Sequence, residues 1–417
     1  MPLPVRPLPL LQRWDCAGCG DCCRSYQVRV TAAEKARLDA QGWDRDPHLA
    51  GVATTVPDPK TGEHRLATRP DGSCVFLGAD NRCRVHAEHG AAGKPMACRV
   101  YPFVLVPGDG HWRVGLRYAC PAAAANTGRP LLAHAAALRE YAGLVEADLG
   151  KPQPNAPPPE LRPGRGVSWA DLERFTDHLL AILDDPRPLE FRLRLVLAVA
   201  ALCKDASFDT VRGKRLGEFL RLVTSGIADE LPPTPAEVPA PGWTGRMIFR
   251  QTCALYARTD TGPHPGVASR GRWTRIRSAY RFAVGRGPIP RLHGLLPATT
   301  FERAEAPTGP LPEADELLAR YYRVKLRSMQ FVGPTHFGRR YWDGLDALLL
   351  TFPVVRWLGR VFTTPARDPA AAVRLAVQVA DGNFGFNPQL GAARQRWAVR
   401  TLADRGELAR LVAWYAR

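Results

Sequence analysis

The sequence predicts an α+β chain, in which a small irregular cysteine-rich domain is followed by a mostly α-helical region. Three observations predict this. Eight of the ten cysteines fall between positions 16 and 120. Beyond position 131, apolar residues recur at helical spacing in one segment after another. Between the two lies the stretch Lys151–Pro163 (KPQPNAPPPELRP), whose composition is that of a linker. The expected division is a cysteine-cluster domain at 1–125, a helix and proline-rich linker at 126–163, and a helical region at 164–417.

In the amino-terminal part, Tyr26–Val30 alternates like a strand. Thr31-Ala-Ala-Glu34 has capping-box spacing and opens a short helix through Leu38. Cys74–Leu77 and Cys83–His86 flank Gly78-Ala79-Asp80-Asn81, which predicts a hairpin, and Trp112–Tyr118 reads as another strand. Helices are then predicted at Leu131–Leu149, Trp169–Leu183 (behind the cap Ser168), Leu189–Cys203, Arg215–Ile227 and Trp243–Ala257. The series continues with Pro312–Phe331, Tyr341–Phe362, Pro369–Val379 and Arg394–Tyr415, the last broken at Gly406. Leu231–Pro241 and Thr259–Gly271 read as loops, and no repeat of fixed period is present.

Composition is that of a globular protein, 45% hydrophobic and 23% charged. Met1–Leu11 lacks the apolar run of a secretory signal, and no stretch of about 18 uncharged apolar residues occurs. A cytoplasmic protein without membrane contact is expected. The net charge of +17 invites a nucleic-acid reading. Yet only seven of the 57 basic residues are lysines, and the arginines are spread without a basic run. A solvated basic surface is the simpler expectation, with another protein as partner or substrate.

The chemistry lies in Cys16-Ala-Gly-Cys19-Gly-Asp-Cys22-Cys23, four thiols within eight residues. In a reducing compartment, such density points to metal rather than disulfides. Gly18 and Gly20 let the backbone turn tightly enough for thiolates to converge. Downstream, Cys74, Cys83, Cys98 and Cys120 each sit beside a turn signal, respectively Asp71-Gly72, Asp80-Asn81, Lys94-Pro95 and Pro121. All eight are candidate metal ligands. Structural zinc commonly uses two C-x₂₋₄-C pairs, whereas here a C-x₂-C-x₂-C triple is joined to a remote Cys-Pro. That is closer to the run holding a cubane cluster in ferredoxins, although Cys23 follows Cys22 at once. A 4Fe-4S iron–sulfur cluster is the first expectation and zinc the second. On extended backbone, Cys22 and Cys23 would point to opposite sides, so that one of them serves a second site or a redox role.

Other candidates have plainer readings. His86 and His89 follow Cys83 at three-residue steps, but histidines on turns are more often simply exposed. Cys203 and Cys253 sit among apolar residues and read as buried small hydrophobes. Gly382, Gly385 and Gly391 lack the strand–turn–helix context of a dinucleotide site.

The order Cys16-x₂-Cys19-Gly20-x-Cys22-Cys23, then Cys74-x-Phe76-Leu77 with Cys83, then Lys94-Pro95-x₂-Cys98-Arg99-x-Tyr101-Pro102-Phe103, resembles the YkgJ-like cysteine-cluster family, described as binding zinc or iron. The resemblance covers roughly residues 13–121 and implies metal ligation by these cysteines. The architecture also resembles the flagellin lysine N-methylases, with Glu316–Gly359 similar in style to their carboxy-terminal half. That second resemblance implies S-adenosylmethionine and a protein lysine substrate, so an S-adenosylmethionine-dependent lysine N-methylase stands as the alternative function.

Overall fold

Three small sheets carry the amino-terminal part of the chain. The computed structural model describes residues 4–6, 12–58, 62–150, 156–258, 271–292 and 294–417. Phe103–Gly108 and His111–Leu116 pair antiparallel, and Val5–Arg6 joins the second of them in parallel. The turn between them puts Asp109 and Gly110 both at positive φ, 52° and 67°, as a two-residue hairpin requires. Arg13–Trp14 pairs with Arg129–Pro130, while Arg29–Val30, His64–Leu66 and Thr55–Pro57 form the third sheet.

The predicted capping box is present. Thr31 Oγ1 accepts from the Glu34 amide (3.3 Å) and Glu34 Oε2 accepts from the Thr31 amide (2.9 Å), opening the helix Ala32–Asp39. The hairpin expected around Gly78–Asn81 is only a tight turn with a single bridge, Leu77 to Cys83. Asp80 Oδ1 accepts from the Arg82 amide and Asn81 lies at φ 63°. Residues after Cys83 then coil into the helix Arg84–His89 instead of extending as a strand.

The helical region follows, with Ala135–Leu149, Trp169–Leu183, Leu189–Asp205, Lys214–Glu230, Trp243–Ala257, Pro312–Arg327 and Pro369–Asn383 close to their predicted positions. Tyr341–Phe362 divides into Tyr341–Leu349 and Thr351–Phe362, because Pro353 has no N–H to give the Leu349 carbonyl. The break at Gly406 is observed between Ala393–Asp404 and Glu407–Ala416, with Gly406 at φ 66°. A helix not predicted, Arg272–Val284, follows the expected loop at 259–271. That loop's residues 259–270, and residues 151–155 of the proline-rich stretch, lie outside the described residues. Among the described residues no helix is long and apolar enough to cross a membrane.

Apolar residues segregate into separate clusters. The large one joins the helices to the hairpin residues Phe103, Leu105, Trp112, Val114 and Leu116. A second contains Val30, Leu38, Trp43, Phe76 and Val85, with Cys74 inside it and Cys23, Cys83 and Cys98 packed against it. A third is Cys120 with Ala122 and Ala123, covered by Trp14 and Tyr101.

Helices and hairpin meet at a fully buried ion pair. Lys325 Nζ lies 2.5 Å from Asp381 Oδ1, and neither side chain is exposed. Lys325 also donates to the Leu116 carbonyl and to Gln330 Oε1, both at 3.0 Å, while Asp381 Oδ2 accepts from the Ala119 amide at 3.1 Å. Burial pushes the Lys325 pKa down and the Asp381 carboxylate pulls it back part of the way. Removing one partner strands a buried charge at a cost of about 3–5 kcal/mol. Lys325→Met and Asp381→Asn are therefore each expected to lower stability by that amount in urea unfolding. The double variant K325M/D381N should be less destabilised than the two single losses added together.

Candidate metal centre

The opening cysteines turn through glycine. Gly18 and Gly20 both take positive φ (63° and 73°), and Gly20 caps the one-turn helix Asp21–Ser25 without a side-chain bond. A Cβ at Gly20 would strike the Arg24 guanidinium and lie 3.2 Å from Leu77 Cδ1. Arg24 in turn donates to the Cys19 carbonyl (3.1 Å) and to Asn81 Oδ1 (2.5 Å), fastening this turn to the one before Cys83.

The later cysteines are brought in by backbone bonds. The Cys74 amide donates to the Cys23 carbonyl at 2.8 Å, and the Ser73 amide before it is held by Asp71 Oδ1. Cys83 forms the bridge with Leu77 and caps Arg84–His89. Cys98 sits on the helix Met96–Val100, whose first amide, Met96 N, donates to Glu34 Oε1 at 2.6 Å. One carboxylate thus closes the capping box of its own helix and holds the start of the Cys98 helix. The capping-box spacing at Glu34 was visible in the sequence, but its second bond spans 62 residues and left no local mark.

Cys22 and Cys23 are helical rather than extended, and their Sγ atoms are 4.0 Å apart. The expectation that they point to opposite sides is corrected by that turn. The contact with Cys23 and then burial push the Cys22 thiol far up. Burial raises Cys74 to about 11. Burial also drives Cys98 well up, and Cys74, Cys83 and Cys22 all push it further while Lys94 pulls it down. Cys22, Cys23, Cys74, Cys83 and Cys98 therefore share one neighbourhood.

Cys16 and Cys19 are exposed. Burial raises the Cys19 thiol, a hydrogen bond from the Asp21 backbone draws it back, and the charges of Asp21, Cys22 and Cys16 push it up further. Cys120 is buried against Trp14, caps Pro121–Ala125, and feels Cys19 among its neighbours. Cys22 and Cys19 thus join this second, looser group to the first. Among the described residues, no three His, Cys, Asp or Glu side chains already stand in the arrangement of a finished metal cage. His86 and His89 are exposed on their short helix. Cys203 and Cys253 are buried at 1% and 0% exposure in the large core.

Between the two groups lies an aromatic and cationic wall. The Tyr26 and Tyr101 rings lie 5.4 Å apart and tilted by 54°, and the Arg117 guanidinium lies 4.6 Å from the Tyr26 ring centroid and 3.6 Å from that of Phe386. Arg117 also donates to the Gly382 carbonyl, next to the buried Asp381. Lys94 and Tyr101 belong to a block already singled out, but Tyr26 and Arg117 carry no spacing signal that marks them as neighbours of the thiols.

The donor set fits a thiophilic metal. Buried thiols whose pKa is raised stay protonated unless a cation offsets the charge of the thiolate, which a bound metal does. Lys94, Arg24 and Arg117 supply further positive charge around the cysteine turns.

Residues 15–121 match the family model CxxCxxCC, described as "Putative zinc- or iron-chelating domain". The amino-terminal segment is thus a domain of that cysteine-cluster family, and metal binding is the property the description gives. No curated protein and no solved structure matches the chain. The match ends at 121 and bears on neither the helical region nor lysine methylation.

Glu34→Ala removes the acceptor for two amides and is expected to cost about 1–3 kcal/mol in urea unfolding. It should also speed alkylation of Cys98 in the metal-free protein, read by peptide mass spectrometry, while leaving Cys253 as slow as before.

Proposed function

We propose that the amino-terminal domain is a thiolate-ligated metal module, with ligands drawn from Cys16, Cys19, Cys22, Cys23, Cys74, Cys83, Cys98 and Cys120. The observation that carries this reading is the gathering of Cys22, Cys23, Cys74, Cys83 and Cys98 from four separate turns into one partly buried neighbourhood beside Lys94. Thiols packed merely as small hydrophobes would look like Cys203, which stands inside a long helix with burial alone raising its pKa, to about 12.

An iron–sulfur cluster is the first reading. The C-x₂-C-x₂-C spacing and the surplus of thiols over four support it. The separation of Cys22 and Cys23 favours zinc as the second. Tetrahedral Zn–S bonds of about 2.3 Å put two thiolates on one ion roughly 3.8 Å apart, close to the 4.0 Å seen here. A cubane offers one iron to each thiolate and spreads its ligands more widely.

Anaerobic purification followed by an absorption spectrum with iron, acid-labile sulfide and zinc assays tests both readings. A brown protein with a band at roughly 400 nm and stoichiometric sulfide establishes the cluster. Colourless protein with stoichiometric zinc establishes the second reading. Protein that takes up neither metal, with all its thiols titratable after unfolding, overturns the module.

A further inference from the structure

The helix Arg272–Val284 (RWTRIRSAYRFAV) turns its apolar stripe outward. Trp273, Ile276, Tyr280 and Val284 are all exposed, Trp273 by 83% and Tyr280 by 68%. At about 100° per residue these four fall within an arc of roughly 80°. Phe282 lies opposite and is the helix's buried residue, edge-on to Phe301 at 5.2 Å. Single exposed apolar residues are ordinary on a protein surface, but four aligned along one helix are not.

Charge accompanies the stripe. The helix has Arg272, Arg275, Arg277 and Arg281 and no acidic residue. On the helical wheel Arg277 and Arg281 border the apolar stripe on one side and Arg272 borders it on the other. None of the four is in an ion pair with a described residue. The whole chain carries +17, so an anionic surface would attract it at long range.

We propose that this helix docks the protein on an anionic lipid bilayer, lying in the headgroup plane with Trp273, Ile276, Tyr280 and Val284 at the acyl boundary. An exposed helix with aromatic and aliphatic residues flanked by arginines matches such an interface, where aromatic rings settle at headgroup depth and each arginine gains from anionic lipid. No spanning segment is needed, so the lack of a membrane-crossing helix among the described residues is compatible with it. A second copy fits poorly, because four arginines would face four arginines. Nucleic acid fits poorly as well, since Ile276 and Val284 offer nothing to a phosphate backbone.

The test is co-sedimentation of the full chain with vesicles of phosphatidylcholine alone or mixed with phosphatidylglycerol, at low and high salt. Binding to the anionic vesicles is expected, weakened by salt and absent or at least about tenfold weaker on neutral ones. W273S/I276S/Y280S should weaken it at least about tenfold, and R277Q/R281Q by roughly thirtyfold, at about fivefold per arginine. All three stripe residues are exposed, so circular dichroism of that variant should match the parent. Equal binding to neutral vesicles, or binding unchanged in the stripe variant, overturns the proposal. So does the absence of vesicle binding alongside self-association, nucleic-acid binding or acidic-protein binding that the stripe variant abolishes.

Discussion

The buried pair of Lys325 and Asp381 is the constraint on which the arrangement of the two parts depends. An apolar pair would fill the same space, and often at no loss of stability. It could not, however, satisfy the Leu116 carbonyl and the Ala119 amide, which this lysine and this carboxylate bond. Those two groups bracket Arg117, so fixing them also fixes the guanidinium that lies over Tyr26. Cys120, one residue beyond Ala119, donates its amide to the Arg117 carbonyl at 3.2 Å. The position of Cys120 is thus set partly from the helical region, through a segment of five residues.

The thiols present a second cost. Burying a thiol is cheap while it stays protonated, and burial in the large core holds Cys203 and Cys253 in that state. The amino-terminal thiols differ because they face one another and cationic side chains. Cys74, Cys83 and Cys22 raise the cost of ionising Cys98, while Lys94 lowers it. A cation placed among them would turn mutual repulsion into shared ligation. The proposed metal would therefore do structural work here, joining turns that already share an apolar cluster and bonds such as Cys74 N to Cys23 O and Arg24 to Asn81.

Much of this was legible in the sequence where local chemistry decides the outcome. The capping box at Thr31–Glu34, the cap at Ser168, the break at Gly406 and the burial of Cys203 and Cys253 all follow from short patterns. The readings that fell short did so for nameable reasons. Cys83–His86 was expected to extend, but a single bridge gave way to a helix. Opposite-facing side chains at Cys22 and Cys23 require extended backbone, but Gly20 at positive φ starts a helical turn beneath them. Arg272–Val284 went unpredicted although Trp273, Ile276, Tyr280 and Val284 recur at helical spacing. Lys325, Asp381, Arg117 and Glu34 act across 56 to 265 residues of separation, which no window along the chain contains.

Hydrogen exchange by mass spectrometry, comparing protein as purified with protein stripped by a chelator, probes the proposed role of the metal most directly. Amides in the turns at 16–25, 74–83 and 96–100 should lose protection on stripping, while those of 189–205 and 351–362 keep theirs. Protection in the cysteine turns that is the same with and without metal would contradict the account.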